Sequence, residues 1–455
     1  MRESDDETNQ EAYPRIGLPP ADDAHMGSIF TLALIAIIAG VITGFVGGLF
    51  RLALQGAASL RTSILDWTRE EPALRWIIPV ALAAIAVALA RLIIRWVPEA
   101  AGSGVQRVEA NMRDEIGFAR PRVVPAKFFS GLLALGSGLA LGREGPTVQM
   151  GAVIGSYAGK IMRVTDYDRR TLSAALAGAG LGVAFSAPLG GAVFVFEEVS
   201  RAVRTRLVLT TLIGSAVAVA TSRLLLGTKP VFDVGQVELE SVWMLAPYGV
   251  LGLALGALGV YYNRLVIWTM DLMARVPRLA PEVKAGIVGG LVGLLGVAWP
   301  DIIGGGDVLN EQILVGTYAL GTLALILVIR VILGPLSYSL GTAGGLFAPL
   351  LVVGAAMGAL VANGYNVLFP GTDLSPIAFA IVGMSTFFAA VVRAPITGVI
   401  LIMEMTATTT LVIPMILAAA TAVLMATAMH GEPIYDTLRA RLNRTEVDGS
   451  SAASH

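Results

Sequence analysis

The chain has 455 residues, 55% of them hydrophobic and only 14% charged, with a formal net charge of −1 and no cysteine. Soluble domains carry about 25% charged residues, so the deficit marks an integral membrane protein. Disulfides, thiolate metal sites and cysteine nucleophiles are excluded, near-neutral charge gives no electrostatic footprint for nucleic acid, and His25, His430 and His455 lack metal-ligand spacing.

Residues 1–27 form an acidic, polar tail ("MRESDDETNQ", then "PPADDAHMG") without the basic start of a secretory signal. Ser28–Phe50 is uncharged and long enough to cross a bilayer, which takes roughly 20 apolar residues. A Gly-rich break, "AAGSGVQRVEA", surrounds Ser103. The apolar stretches Phe128–Leu141, Thr147–Gly159 and Ala192–Phe196 are too short to span, and between the first two "LALGREGPTVQM" sets Arg143 beside Glu144. Broken backbone and charge at membrane depth are tolerated only inside protein or along a watery cavity. Leu207–Ser222 follows, and then a polar linker over 227–241, "GTKPVFDVGQVELES". The second part brings Trp243–Tyr262, Ala285–Pro300, a third Gly-rich break "GTAGGLFAPL" and Leu411–Ala428.

The chain repeats itself. "GREGPTVQMGAVIG" lies over "GLFAPLLVVGAAMG", so that Gly142, Pro146, Gly151 and Gly155 fall on Gly345, Pro349, Gly354 and Gly358. Downstream, "APLGGAVFVFEE" matches "APITGVILIMEM" and places Glu197 on Glu404. The expected organisation is two membrane repeats, 28–226 and 242–430, followed by a C-terminal segment over 431–455. Duplicated halves with interrupted helices are a transporter signature, with the substrate site at their interface. Whether the halves run inverted or parallel is left open by the spacing.

Each Gly-rich break is read as the start of an apolar helix, whose unpaired N–H groups and partial positive charge make an anion site. Three such ends converging would replace an anion's hydration shell without a fixed cation to trap it. Glu198, in "VFVFEEVSR", reads either as a solvated helix end or as a buried acid.

"GSGVQ", "GREGPTVQ" and "GLFAP", in that order, resemble the signature motifs of the CLC chloride channel and transporter family, and "GEPIYDTLRARL" resembles the segment carrying its pore tyrosine. The resemblance implies an all-α integral membrane protein, an inverted repeat of two halves with many tilted and partly membrane-spanning helices. It implies a multi-pass protein of the cell membrane and a homodimer with one pore per subunit. No cofactor or metal is implied; the substrates are chloride and protons. Gly102, Ser103, Arg143, Glu144, Gly145, Leu346, Phe347 and Tyr435 match the anion-binding set, mostly through backbone amides and the Ser103 and Tyr435 hydroxyls. Glu144 matches the gating glutamate and external proton site, and Glu198 the internal proton-transfer glutamate of the exchangers. Glu109 and Lys127 match a buried acid and base expected to pair structurally, and the Arg143 side chain and Glu404 are expected to be scaffold. Gln106 stands where the family has proline. The chain ends about twenty residues past Tyr435, so no cytoplasmic regulatory domain is expected.

The function implied is exchange of chloride for protons, with a passive chloride channel as the alternative and a fluoride/proton antiporter third. An enzyme is not expected, since neither an HExxH nor a GxSxG pattern occurs.

Overall fold

The computed structural model describes residues 26–70, 74–235, 237, 245–316, 318–371 and 373–453. Most of the acidic tail with His25, several linker positions including Gln236, Trp243 at the start of one expected span, and His455 therefore lie outside the described residues. All regular structure among the described residues is helical. In the first half α1 spans Met26–Glu70, α2 Ile77–Trp96, α3 Val105–Met112, α4 Val123–Gly136, α5 Glu144–Ile161, α6 Asp166–Phe185, α7 Pro188–Phe194 and α8 Thr205–Leu226. The second half gives α9 Leu245–Ala274, α10 Pro281–Ala298, α11 Asp307–Leu314, α12 Leu320–Tyr338, α13 Phe347–Leu368, α14 Pro376–Val392, α15 Pro395–Thr406 and α16 Val412–Ala428. A last helix, α17, covers Ile434–Ala453.

Length and apolarity fit seven of these for crossing a membrane. The Ala and Leu residues of α2 favour helix, and its 20 residues extend about 30 Å. Outward-facing residues such as Leu34, Phe45, Ile85 and Leu224 are exposed, as a lipid-facing surface requires. Two helix starts are capped by side chains: the Thr165 hydroxyl accepts from the Asp168 amide at 3.1 Å to start α6, and the Ser375 hydroxyl accepts from the Ala378 amide at 3.3 Å to start α14.

The two halves are built alike. α1 packs along α8 as α9 packs along α16, and α5 along α6 as α13 along α14. The repeat's glycines lie in these seams. A Cβ at Gly151 or Gly155 would strike the carbonyls of Leu176 and Leu172, and one at Gly354 or Gly358 those of Gly383 and Phe379. Close backbone approach of this kind is how helices associate where lipid is as apolar as the side chains.

Glu197 and Glu404 exchange caps between the halves. Glu197 accepts from the Ile396 amide at 3.0 Å and the Thr397 amide at 2.7 Å, at the start of α15. Glu404 accepts from the Leu189 and Gly190 amides at 3.1 and 2.7 Å, at the start of α7. Each carboxylate thus meets the positive end of the other half's short helix.

The first helix outruns its uncharged stretch. Uncharged sequence ends at Phe50, but α1 continues 20 residues further, through Arg51 and Arg61. Arg51 is accommodated inside protein: Nη1 donates to the Val183 carbonyl at 2.9 Å and the Ser186 hydroxyl at 2.8 Å. The helix after the Ser103 break is not the apolar one expected, being eight residues long and carrying Arg107 and Glu109.

Candidate functional site

The three Gly-rich breaks meet. The Gly142 and Gly345 amides each donate to the other's carbonyl, both at 2.8 Å, forming an isolated antiparallel bridge between the "GREGP" and "GLFAP" breaks. Gly102 joins from the break around Ser103, donating to the Thr342 carbonyl at 3.1 Å and accepting from the Gly344 amide at 3.1 Å. Gly145 lies where all three touch: a Cβ there would stand 2.9 Å from the Gly345 Cα, the Ser103 Cα and the Ser103 carbonyl oxygen. Any side chain would wedge the breaks apart.

Glu144, the first residue of α5, is 1% exposed and turns its carboxylate across the junction. Its Oε1 accepts from the Phe347 amide at 2.7 Å, at the start of α13. The carboxylate lies so close to the Cα atoms of Gly142 and Gly345 that a Cβ on either would overlap it. Glu144 thus occupies a seat made of the Phe347 N–H and glycine surfaces, with its Oε2 left without a partner.

Ser103 and Tyr435 are fully buried, and neither the Ser103 Oγ nor the Tyr435 hydroxyl has a hydrogen-bond partner. Unpaired buried hydroxyls are costly, so two of them beside an amide-lined seat fit an acceptor such as an anion between them. The Phe347 ring closes the space, edge-to-face with Phe194, Phe388 and Tyr435 at centroid distances of 5.6, 4.7 and 5.8 Å.

The Arg143 guanidinium turns away, donating from Nε to the Ala184 carbonyl at 2.9 Å and pairing Nη1 with Asp307 Oδ2 at 2.7 Å. The Gly102 amide is taken by Thr342, so this residue frames the site rather than offering a free donor. Leu346 is buried at the N-cap of α13.

Glu198 is no solvated helix end. It is 1% exposed, within a single π-helical turn, Val195–Val199, that continues α7. An open cleft lined by Glu197, Glu198, Arg201 and Arg393 reaches it. Glu198 Oε2 lies 3.6 Å from Arg201, which pairs with Asp436 at 2.8 Å, one residue after Tyr435. Arg439 links Asp436, Glu115 and Glu109 at 3.1, 3.5 and 3.7 Å.

Glu109 and Lys127 do not form the expected pair. Glu109 faces Arg439, whereas the fully buried Lys127 Nζ donates to the carbonyls of Ala100 at 3.1 Å and Gly102 at 2.6 Å. Loop carbonyls ahead of α3 need donors, and a lysine offers three. Sequence reasoning also missed Asp307, Asp436, Arg439 and Tyr338. Their signal was faint: single polar residues next to a Gly run or within an amphipathic helix.

A helical membrane protein with broken helices converging on an amide-lined seat belongs to the transporter and channel class. Residues 85–427 match the model of the voltage gated chloride channel family, and the chain belongs to that family. It is 37% identical over 428 residues to an H(+)/Cl(−) exchange transporter of Vibrio parahaemolyticus, covering 91% of this chain and 90% of the relative. A corresponding exchange transporter of Salmonella arizonae is 36% identical over 433 residues, with 93% and 91% covered. Among solved structures, a slow cyanobacterial Cl−/H+ antiporter superposes with a TM-score of 0.87 at 30% identity, covering 91% of this chain and 98% of that one.

Proposed function

We propose that this multi-pass membrane protein exchanges chloride for protons across the cell membrane, with Glu144 as both anion gate and external proton acceptor. The observation that carries the reading is the Glu144 carboxylate on the Phe347 amide at 2.7 Å, beside the unpartnered Ser103 and Tyr435 hydroxyls. An ionised carboxylate is a tethered anion; among helix N-termini it competes with chloride for one place. Protonated, it loses that attraction and swings outward, and chloride takes the seat. Chloride bound there is held by N–H and O–H dipoles, strongly enough to enter and weakly enough to leave.

Glu198 is the internal proton donor in this reading. Its burial, the cleft that reaches it and the pairing of Arg201 with Asp436 support proton delivery by a route apart from the anion's. Antiport is favoured over a passive channel because Glu198 is buried yet lines an open cleft, and because the chain is 36–37% identical to H(+)/Cl(−) exchange transporters. The residues of the site come from one chain, so in the proposed homodimer each subunit carries its own pathway. The chemistry calls for no cofactor or metal.

The test is proton movement in proteoliposomes under a chloride gradient. Wild-type protein should drive protons uphill, and Glu198→Gln should lower proton flux at least about tenfold while chloride still moves, as loss of one positioned proton-transfer group does. Chloride flux without uphill proton movement by the wild type would establish the channel instead.

A further inference from the structure

We propose that Tyr338 and Gln106 form a latch that fixes Ser103 for the anion. The proposal rests on the anion-transport reading and adds a positioning device to it. Tyr338 is the last residue of α12, buried, and contributed by the opposite half to Ser103. Its hydroxyl accepts from the Ser103 amide at 3.4 Å, and the Gln106 Nε2 stands beside it at Gly102, where a Cβ would lie 3.3 Å from the phenolic oxygen and 3.6 Å from the Nε2.

The local backbone shows why a latch is needed. Gly102 is held on three sides, by Thr342, Gly344 and the Lys127 ammonium. Beyond it the chain has only Gly104, in the left-handed region at φ +88°, before α3 begins at Val105. Proline at the second helical position would fix φ and pre-set the helix start. Glutamine leaves that backbone freer. In the latch its side-chain amide instead donates to the phenolic oxygen that holds the Ser103 amide, tying the first turn of α3 to the residue whose hydroxyl faces the anion. Two N–H donors on one phenolic oxygen lie within its capacity.

The experiment measures chloride affinity calorimetrically on purified protein and the chloride-over-nitrate flux ratio in proteoliposomes. The variants are Tyr338→Phe, Gln106→Leu, their combination, and Gln106→Pro within Tyr338→Phe. Each single change should weaken chloride binding by about tenfold, the equivalent of roughly 1.4 kcal/mol, and lower the flux ratio. The combination should be no worse than the worse single change, since coupled partners are not additive. Gln106→Pro within Tyr338→Phe should recover most of the affinity, which a purely space-filling role for the tyrosine would not allow. The flux ratio is carried by the folded fraction alone, so it decides the matter even if a variant folds poorly. Affinity and ratio within about twofold of wild type for Tyr338→Phe, well inside that tenfold expectation, would overturn the latch while leaving the transport reading intact. Wild-type protein that binds no chloride would overturn both.

Discussion

Lys127 in α4 and Arg330 in α12 stand at the same spacing as Gly142 and Gly345, and they hold the two halves in the same way. Lys127 donates to the carbonyls of Ala100 and Gly102 ahead of α3; Arg330, fully buried, donates to those of Ile302, Gly304 and Gly305 ahead of α11 at 3.1, 2.8 and 3.0 Å. Each cation satisfies the orphan carbonyls of a loop that water cannot reach, so charge at membrane depth here serves broken backbone. One of the two held loops carries Ser103.

We predict that Lys127→Met and Arg330→Met each destabilise the protein, because carbonyls left unpaired at this depth cost about 1–3 kcal/mol apiece. Thermal unfolding in detergent should show both losses. Lys127→Met should in addition weaken chloride binding, since it frees the Ser103 loop, whereas Arg330→Met should change it far less. Equal effects on chloride binding would contradict this division.

Gly345→Ala places a methyl group on the Glu144 carboxylate and 2.8 Å from the Gly145 amide nitrogen. Overpacking alone costs about 1–3 kcal/mol, and the seat itself is filled. Chloride efflux from proteoliposomes should fall to background while the protein remains monodisperse. Efflux near the wild-type rate would mean that the anion does not use this seat.

The Arg143–Asp307 pair bridges the halves at 2.7 Å, with Asp307 half-exposed. A partly exposed pair is worth about 0–1 kcal/mol, so Asp307→Asn should change the unfolding temperature little. Removing a negative charge near the Glu144 end of the pathway should nevertheless raise the local chloride concentration and the flux at low ionic strength, with the gain fading as salt is added. Flux measured against ionic strength distinguishes this from a structural effect, which salt would not cancel.

The sequence made the seat legible because main-chain chemistry builds it. Glycines in three breaks and a carboxylate beside one of them point to an amide-lined anion site without any knowledge of side-chain packing. The repeat was visible for the same reason, since the glycines of the α5/α6 and α13/α14 seams must stay glycines. Partnerships between distant side chains were not legible. Glu109 and Lys127 look like a natural pair, yet Arg439, on the last helix, faces the acid, and loop carbonyls take the base. Arg51 shows in the sequence only as the end of an uncharged run, but a carbonyl and a hydroxyl on the α6 side carry α1 past it. Tyr338 and Gln106 stayed hidden because their contact closes only when the halves come together.

The most direct test of the central claim compares chloride and proton fluxes of Glu144→Ala with those of the wild type in the same proteoliposome preparation. If the Glu144 carboxylate is the tethered occupant of the anion seat, the variant conducts chloride at a rate insensitive to pH and moves no protons against their gradient. Retained chloride-driven proton pumping, or loss of chloride flux in a folded variant, would contradict the account.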